Sequence, residues 1–225
     1  MKDARAQMEQ ALAERILVLD GSWGVLIHRR ELSEEEYRGE RFRDHSHDVK
    51  GDPDLLNLTQ PQVIAEIHDS YFAAGADIAT TNTFTATRIG QGDYDLGDVA
   101  GEMSLEGARL ARAAADAWTE KTPDRPRFVA GSVGPLNVTL SLSPRVEDAA
   151  YRAVTFDRVR ETYEEQMAAL RDGGVDLLLI ETIFDTLNAK AAMVAARAVA
   201  PELPLWLSFT AVDKSGRNLS GQTSD

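Results

Sequence analysis

Two stretches of this chain align without a gap, GADIATTNTF from Gly75 to Phe84 and GVDLLLIETI from Gly174 to Ile183. Each carries an apolar run to a polar tip followed by Thr, so that Asn82 pairs with Glu181 and Thr83 with Thr182. A glycine, an Asp, a run of buried-type residues and a polar tip describe a parallel strand entered from a helix C-terminus and leaving into a functional loop. VLDG at Val18–Gly21 forms a third such tip. The chain therefore reads as a series of β/α units whose polar ends share one side, where ligands bind in folds of this kind.

The remaining pattern fills in the units. A polar, amphipathic lead-in covers residues 1–15, and ILVLDG predicts a first strand over Ile16–Gly21. The polar segment from His28 to about Asn57 is too long for an ordinary βα loop of roughly 2 to 6 residues. Thr59 and Gln62 predict a capping box, with Pro61 in the first turn of a helix that buries Ile64, Ile67 and Tyr71. Strands follow over Ala76–Thr83, Arg127–Pro135, Val175–Thr182 and Leu203–Ala211. The helices between them expose apolar faces at Val99, Met103, Leu110, Ala114 and Ala117, at Phe156, Val159, Tyr163, Met167 and Leu170, and at Leu187, Ala191, Val194 and Ala198. Gly173 is the expected left-handed cap of the second of these. No helix is predicted behind the fifth strand, so one edge and some apolar surface would stay uncovered. Such an α/β chain is a five-stranded doubly wound sheet or the front portion of a (β/α)8 barrel.

Composition excludes several functions. A formal charge of −13 repels nucleic-acid backbones and anionic membrane surfaces, so neither is an expected partner. No apolar run approaches the ~20 residues of a membrane span, and the N-terminus lacks the apolar centre of a signal peptide, so a cytoplasmic location is expected. Cysteine is absent, which removes thiol nucleophiles and thiolate metal ligands. His45 and His47, flanked by Asp44 and Asp48, would share a face only on a strand, and this loop carries no strand signal; a solvated segment is the expectation. His68 is expected at a surface or boundary, Glu34, Glu35 and Glu36 as a solvated acidic face, and GSVG at Gly131–Gly134 as a turn rather than half of a dinucleotide fingerprint.

The blocks LDGSWG, RGERF, DLLNLTQPQVIAEIHDSYFAAGADIATTNTF, SVGPLN, FDRVRETYEEQMAALRDGGVDLLLIETIFDTLNAKAA and SGRNLSGQT, in this order, resemble the N-terminal homocysteine-binding module of cobalamin-dependent methionine synthases. RGERF and NLTQPQVI are closer to the cobalamin enzymes than to betaine-dependent or S-methylmethionine-dependent homocysteine methyltransferases. The resemblance implies a partial (β/α)8 TIM barrel over residues 16–225, comprising the first five strands and incomplete at the C-terminal side. It further implies methyl transfer from methylcobalamin, carried by another module of a longer chain that also has a folate-binding module, to the zinc-bound thiolate of homocysteine. The zinc is held in that family by three cysteines, which the resemblance places beyond Asp225, so residues 1–225 alone are expected to hold no metal and to be inactive. Trp23 and Val25 depart from the Met and Thr usual in the first turn.

Homocysteine carries an ammonium, a carboxylate and a thiol with a pKa of roughly 8.5. Carboxylates aimed from rigid strand ends best meet the ammonium, which makes Asp20 and Glu181 the leading candidates; the resemblance implies the same contact. Backbone N–H groups of the turn at Gly21 and Ser22 suit the substrate carboxylate. Asn82 and Thr83 either line the pocket or hydrogen-bond to neighbouring loops. A small amino-acid-binding α/β module without catalysis is the alternative from a different class.

Overall fold

The computed structural model describes residues 4–211, 214–218 and 221–223. Residues 1–3 of the lead-in, and Leu219 and Ser220 of the SGRNLSGQT block, lie outside the described residues. So does Asp225, the position beyond which the resemblance sets the zinc-binding cysteines, and that expectation therefore rests on the resemblance alone. Four strands, β1 (Ile78–Thr80), β2 (Phe128–Val133), β3 (Leu177–Glu181) and β4 (Leu205–Ser208), pair in parallel in the order of the chain. The predicted first strand is reduced to one parallel bridge, Leu19 to Ile78, closed by the Asp20 N–H on the Ile78 carbonyl at 2.9 Å and the Ile78 N–H on the Val18 carbonyl at 3.1 Å. Five strand positions thus succeed one another with no reversal of order. That winding belongs to an arc of a (β/α)8 barrel; a doubly wound sheet reverses direction at its switch point.

Alternation along each strand assigns its two faces. Ala79, Val129, Val133, Leu178 and Ile180 pack with the crossover helices α6 (Ala100–Lys121), α7 (Phe156–Asp172) and α8 (Thr186–Val199) in the largest buried cluster. Ile78, Phe128, Ala130, Leu177 and Leu179 occupy the opposite face, where they meet Met8 of α1 (Ala4–Glu14), Leu17 and Trp206. The lead-in helix therefore packs against the inner face of the arc, and Arg15 fastens its end to Asp77 at 2.8 Å.

The long polar segment is not an open loop. It forms α3 (Glu34–Arg38) and leads into α4 (Leu56–Thr59), which with α2 (Trp23–His28) before it and α5 (Pro61–Ala73) after it enclose a second cluster of Ile27, Tyr37, Val49, Leu55, Leu56, Ile64 and Ile67. The expected capping box at Thr59 and Gln62 does not form: the Thr59 hydroxyl donates to the Leu55 carbonyl, 3.3 Å, because α4 runs directly into α5. The capping box lies instead at Ser33 and Glu36, inside the run expected to be merely solvated. Glu34 there accepts from the backbone N–H groups of Val49 and Lys50 and pairs with Arg38. Gly173 is right-handed and Gly174, with φ of 92°, takes the left-handed turn. GSVG is strand rather than turn, since Gly131, Ser132 and Val133 belong to β2. On α6 the buried residues are Ala100, Met103, Ser104, Gly107, Ala108, Ala111 and Ala115, so the predicted face is rotated away from Ala114 and Ala117.

Candidate functional site

Following the inner face toward the C-terminal ends of the strands, polar side chains replace apolar ones. After Ile78 comes Thr80, after Phe128 and Ala130 comes Ser132, and after Leu177 and Leu179 comes Glu181. Two-residue periodicity puts all three on one side of the sheet at one rim. Asp20, at the exit of the bridge segment, joins them. A cavity of about 530 Å³ opens at this rim, bounded by Asp20, Gly21, Trp23, Asn82, Ser132 and Glu181, and also by Asp54, Phe84 and Thr85. Three carboxylates line it, and among the described residues that do so none is basic.

Asp20 is held rigidly. Its Oδ2 accepts from the Thr80 N–H at 2.9 Å and from the Trp23 indole N–H at 3.3 Å, and its Oδ1 from the Thr80 hydroxyl at 2.9 Å. Burial outweighs these donors, and with the nearby Glu181 charge it pushes the Asp20 carboxyl up to about 7. Glu181 accepts from the Ser132 hydroxyl at 2.7 Å. The chain turns away immediately after it, at Thr182, whose φ of 59° is a left-handed conformation that a β-branched residue rarely takes. Gly21 lies against the Tyr71 ring; a Cβ there would stand 3.2 Å from the phenolic oxygen, which donates to the Ser22 carbonyl.

Of the five residues singled out from sequence, Asp20, Gly21, Asn82 and Glu181 border this one cavity. Asn82 also ties down the neighbouring loop, donating to the Pro53 carbonyl at 2.7 Å and to Asn57 Oδ1 at 3.2 Å. Thr83 is fully buried outside the lining and takes the hydrogen-bonding alternative: its hydroxyl donates to the Ser132 carbonyl at 2.8 Å while sharing a 2.6 Å contact with Thr81. Since the Thr81 hydroxyl in turn accepts from the Ser132 N–H, Thr83 supports the residue that orients Glu181.

Sequence reasoning missed Ser132, Thr80 and Asp54. Ser132 and Thr80 occupy the same inner layer as Glu181, a signal that the strand alternation carries once the register is known. His68 is also corrected, since it is fully buried, packs edge-on to Trp23 with ring centroids 4.6 Å apart, and burial drives its pKa down to about 3. It is a neutral wall. His45 bonds through Nε2 to the Tyr94 carbonyl at 2.8 Å, and Arg38 grips the His47 carbonyl at 2.8 Å, so this loop is pinned. Among the described residues no group of three His, Cys, Asp or Glu side chains is arranged to hold a metal ion, and no helix is long and apolar enough to cross a membrane.

The sequence profile of the family described as Homocysteine S-methyltransferase matches residues 17–225. Among solved structures, the homocysteine methyltransferase MmuM from Escherichia coli is similar in its oxidised form, with 25% identity and a TM-score of 0.74 over 99% of this chain and 70% of that one. Its metallated form gives 26% identity and a TM-score of 0.72 over the same shares, 99% and 70%. Its apo form, at 23% identity and a TM-score of 0.66 over 94% of this chain and 66% of that one, is alike in fold.

Proposed function

The chain belongs to the homocysteine S-methyltransferase family, and from that membership we propose that the rim cavity holds the amino-acid end of homocysteine and presents its sulfur for methylation. The observation that carries this reading is the convergence of Asp20 and Glu181, from the first and fourth of the five strand positions, on one cavity with no basic residue among its described lining. An ammonium entering it meets two fixed carboxylates, whose orientation by Thr80, Trp23 and Ser132 is complete before binding. The substrate carboxylate faces the backbone at Gly21 and Ser22. In the transfer the thiol gives up its proton, a sulfur–carbon bond forms, and the donor keeps the electron pair of the bond to its methyl group.

The finer assignment is to the methionine synthase type, with methylcobalamin and folate handled by other modules of a longer chain; the RGERF and NLTQPQVI blocks support it. The homocysteine methyltransferase named by the solved structures supports the broader activity and leaves room for a simpler methyl donor such as betaine or S-methylmethionine. Thiolate-bound zinc does not fit the residues present, because the chain contains no cysteine and the cavity's acidic donors are oxygen atoms.

The experiment is calorimetric titration of this chain with homocysteine. Glu181→Gln should weaken binding by about 1 to 3 kcal/mol through loss of a charge-assisted contact. Unchanged affinity would remove Glu181 from the substrate shell.

A further inference from the structure

Trp23 stands where the resemblance leads one to expect a smaller residue, and its contacts give it a specific task. Its indole N–H is forked between Asp20 Oδ2 at 3.3 Å and Thr80 Oγ1 at 3.1 Å. Its ring is braced edge-on by His68, a fully buried side chain whose Nδ1 and Nε2 have no hydrogen-bond partner among the described residues. Thr80 itself donates to both oxygens of Asp20. Asp20, Thr80 and Trp23 therefore form a closed set of donors around one carboxylate, and all three border the cavity.

We propose that Trp23 is the positioning residue of this site: through its indole N–H it locks the Asp20 carboxylate in the orientation and charge state that receive the substrate ammonium. The proposal rests on the homocysteine-binding reading above. The groups that act electrically on Asp20 are few. Glu181 on β3 disfavours its charged form, Tyr71 on α5 lies nearby as a neutral phenol, and His68 on α5 is uncharged. Against that background, the donors from Thr80 and Trp23 are what favour the anion, and Trp23 is the one that donates through its side chain alone.

The test is Trp23→Phe, which keeps an aromatic ring against His68 while deleting the indole donor. Burial pushes the Asp20 carboxyl up to about 7, and loss of one hydrogen bond to a charged group should raise its midpoint by about one unit, read from the Asp20 γ-carbon in ¹³C NMR. Homocysteine affinity should then fall about ten-fold at pH 6, with the deficit nearly closed by pH 8.5, because both proteins carry the anion there. A deficit independent of pH would mark Trp23 as a mere wall, and an unmoved Asp20 midpoint would overturn the proposal. Should the variant fail to fold, the unaltered protein still decides it: the Trp23 indole ¹H–¹⁵N resonance must titrate with the Asp20 midpoint, and an indole signal flat in pH would sink the idea. If the Asp20 midpoint moves but homocysteine binds at no pH, the functional reading fails while the role of Trp23 stands.

Discussion

At the scale of single residues, the least expected feature is a pair of carboxylates, Asp52 and Asp54, that flank Pro53 and are both fully buried. Asp54 accepts from the N–H and hydroxyl of Thr85, and Asp52 from the Gln91 amide at 3.1 Å, yet Asp52 Oδ2 and Asp54 Oδ1 lack partners among the described residues. Burial raises both carboxyls above the ordinary range, and the Asp52 charge raises Asp54 further. An acid whose folded pKa is raised favours the folded state while protonated, so its stabilising effect is present at low pH and lost as pH climbs from the usual carboxylate range past neutrality. Asp54→Asn should remove this loss. Its carbonyl oxygen can still accept from Thr85 while its amide turns toward Asp52. Urea unfolding at pH 5 and pH 8 should show the variant gaining on the unaltered protein by about 1 to 3 kcal/mol at the higher pH. An equal difference at both values would mean that the pair holds its charge without strain. Neither residue announced itself in the sequence, where a D-P-D string reads as a solvated turn; enclosure by α3, α4 and the 90–94 turn is a tertiary fact.

At the scale of elements, the strands were legible because fully buried parallel strands read as unbroken apolar runs, and GADIATT and GVDLLLIE are such runs. Two of the tips were legible for the same reason, since a polar residue that ends a buried run marks where the strand leaves the core, and Asp20 and Glu181 border the cavity at that rim. What sequence could not give was the rotation of α6, decided by Gly107 and the alanines that let it approach Thr83 and Asn57 closely. The fate of Thr83 follows from that packing. Helix caps fall between these extremes: Ser33 with Glu36 fits the capping pattern as well as Thr59 with Gln62 does, and only the chain entering each helix decides between them. The cap of α8 makes the point quantitatively. Asp185 is buried and accepts from Leu187 N–H at 2.8 Å and Asn188 N–H at 3.2 Å, and from the backbone and hydroxyl of Ser141, each at 2.8 Å. It joins the α8 start to the loop after β2. Asp185→Ala should cost about 2 to 3 kcal/mol, more than an ordinary cap, because it also strands the half-buried Ser141 N–H; chemical denaturation measures it. A loss below about 0.5 kcal/mol would show that water replaces the carboxylate.

At the scale of the whole molecule, two tendencies oppose each other. Among the described residues β4 pairs only with β3, and beside its open edge Leu207, Phe209 and Met193 are exposed. A row of free backbone groups next to apolar side chains invites pairing with a second chain. The formal charge of −13 resists that pairing, since two copies repel over roughly the 10 Å Debye length at 0.1 M salt. Added salt screens the repulsion and leaves the apolar attraction in place. Self-association should therefore strengthen between 0.05 M and about 0.5 M sodium chloride, the reverse of what a charge-paired dimer does, and sedimentation velocity at several protein concentrations reads it directly. Leu207→Lys combined with Phe209→Lys places charge on the edge and shrinks its apolar surface, so this variant should stay monomeric across the whole salt range while homocysteine affinity is unchanged. A parent chain that is monomeric at high salt, or a variant that associates as the parent does, would show that the β4 edge protects itself by another means.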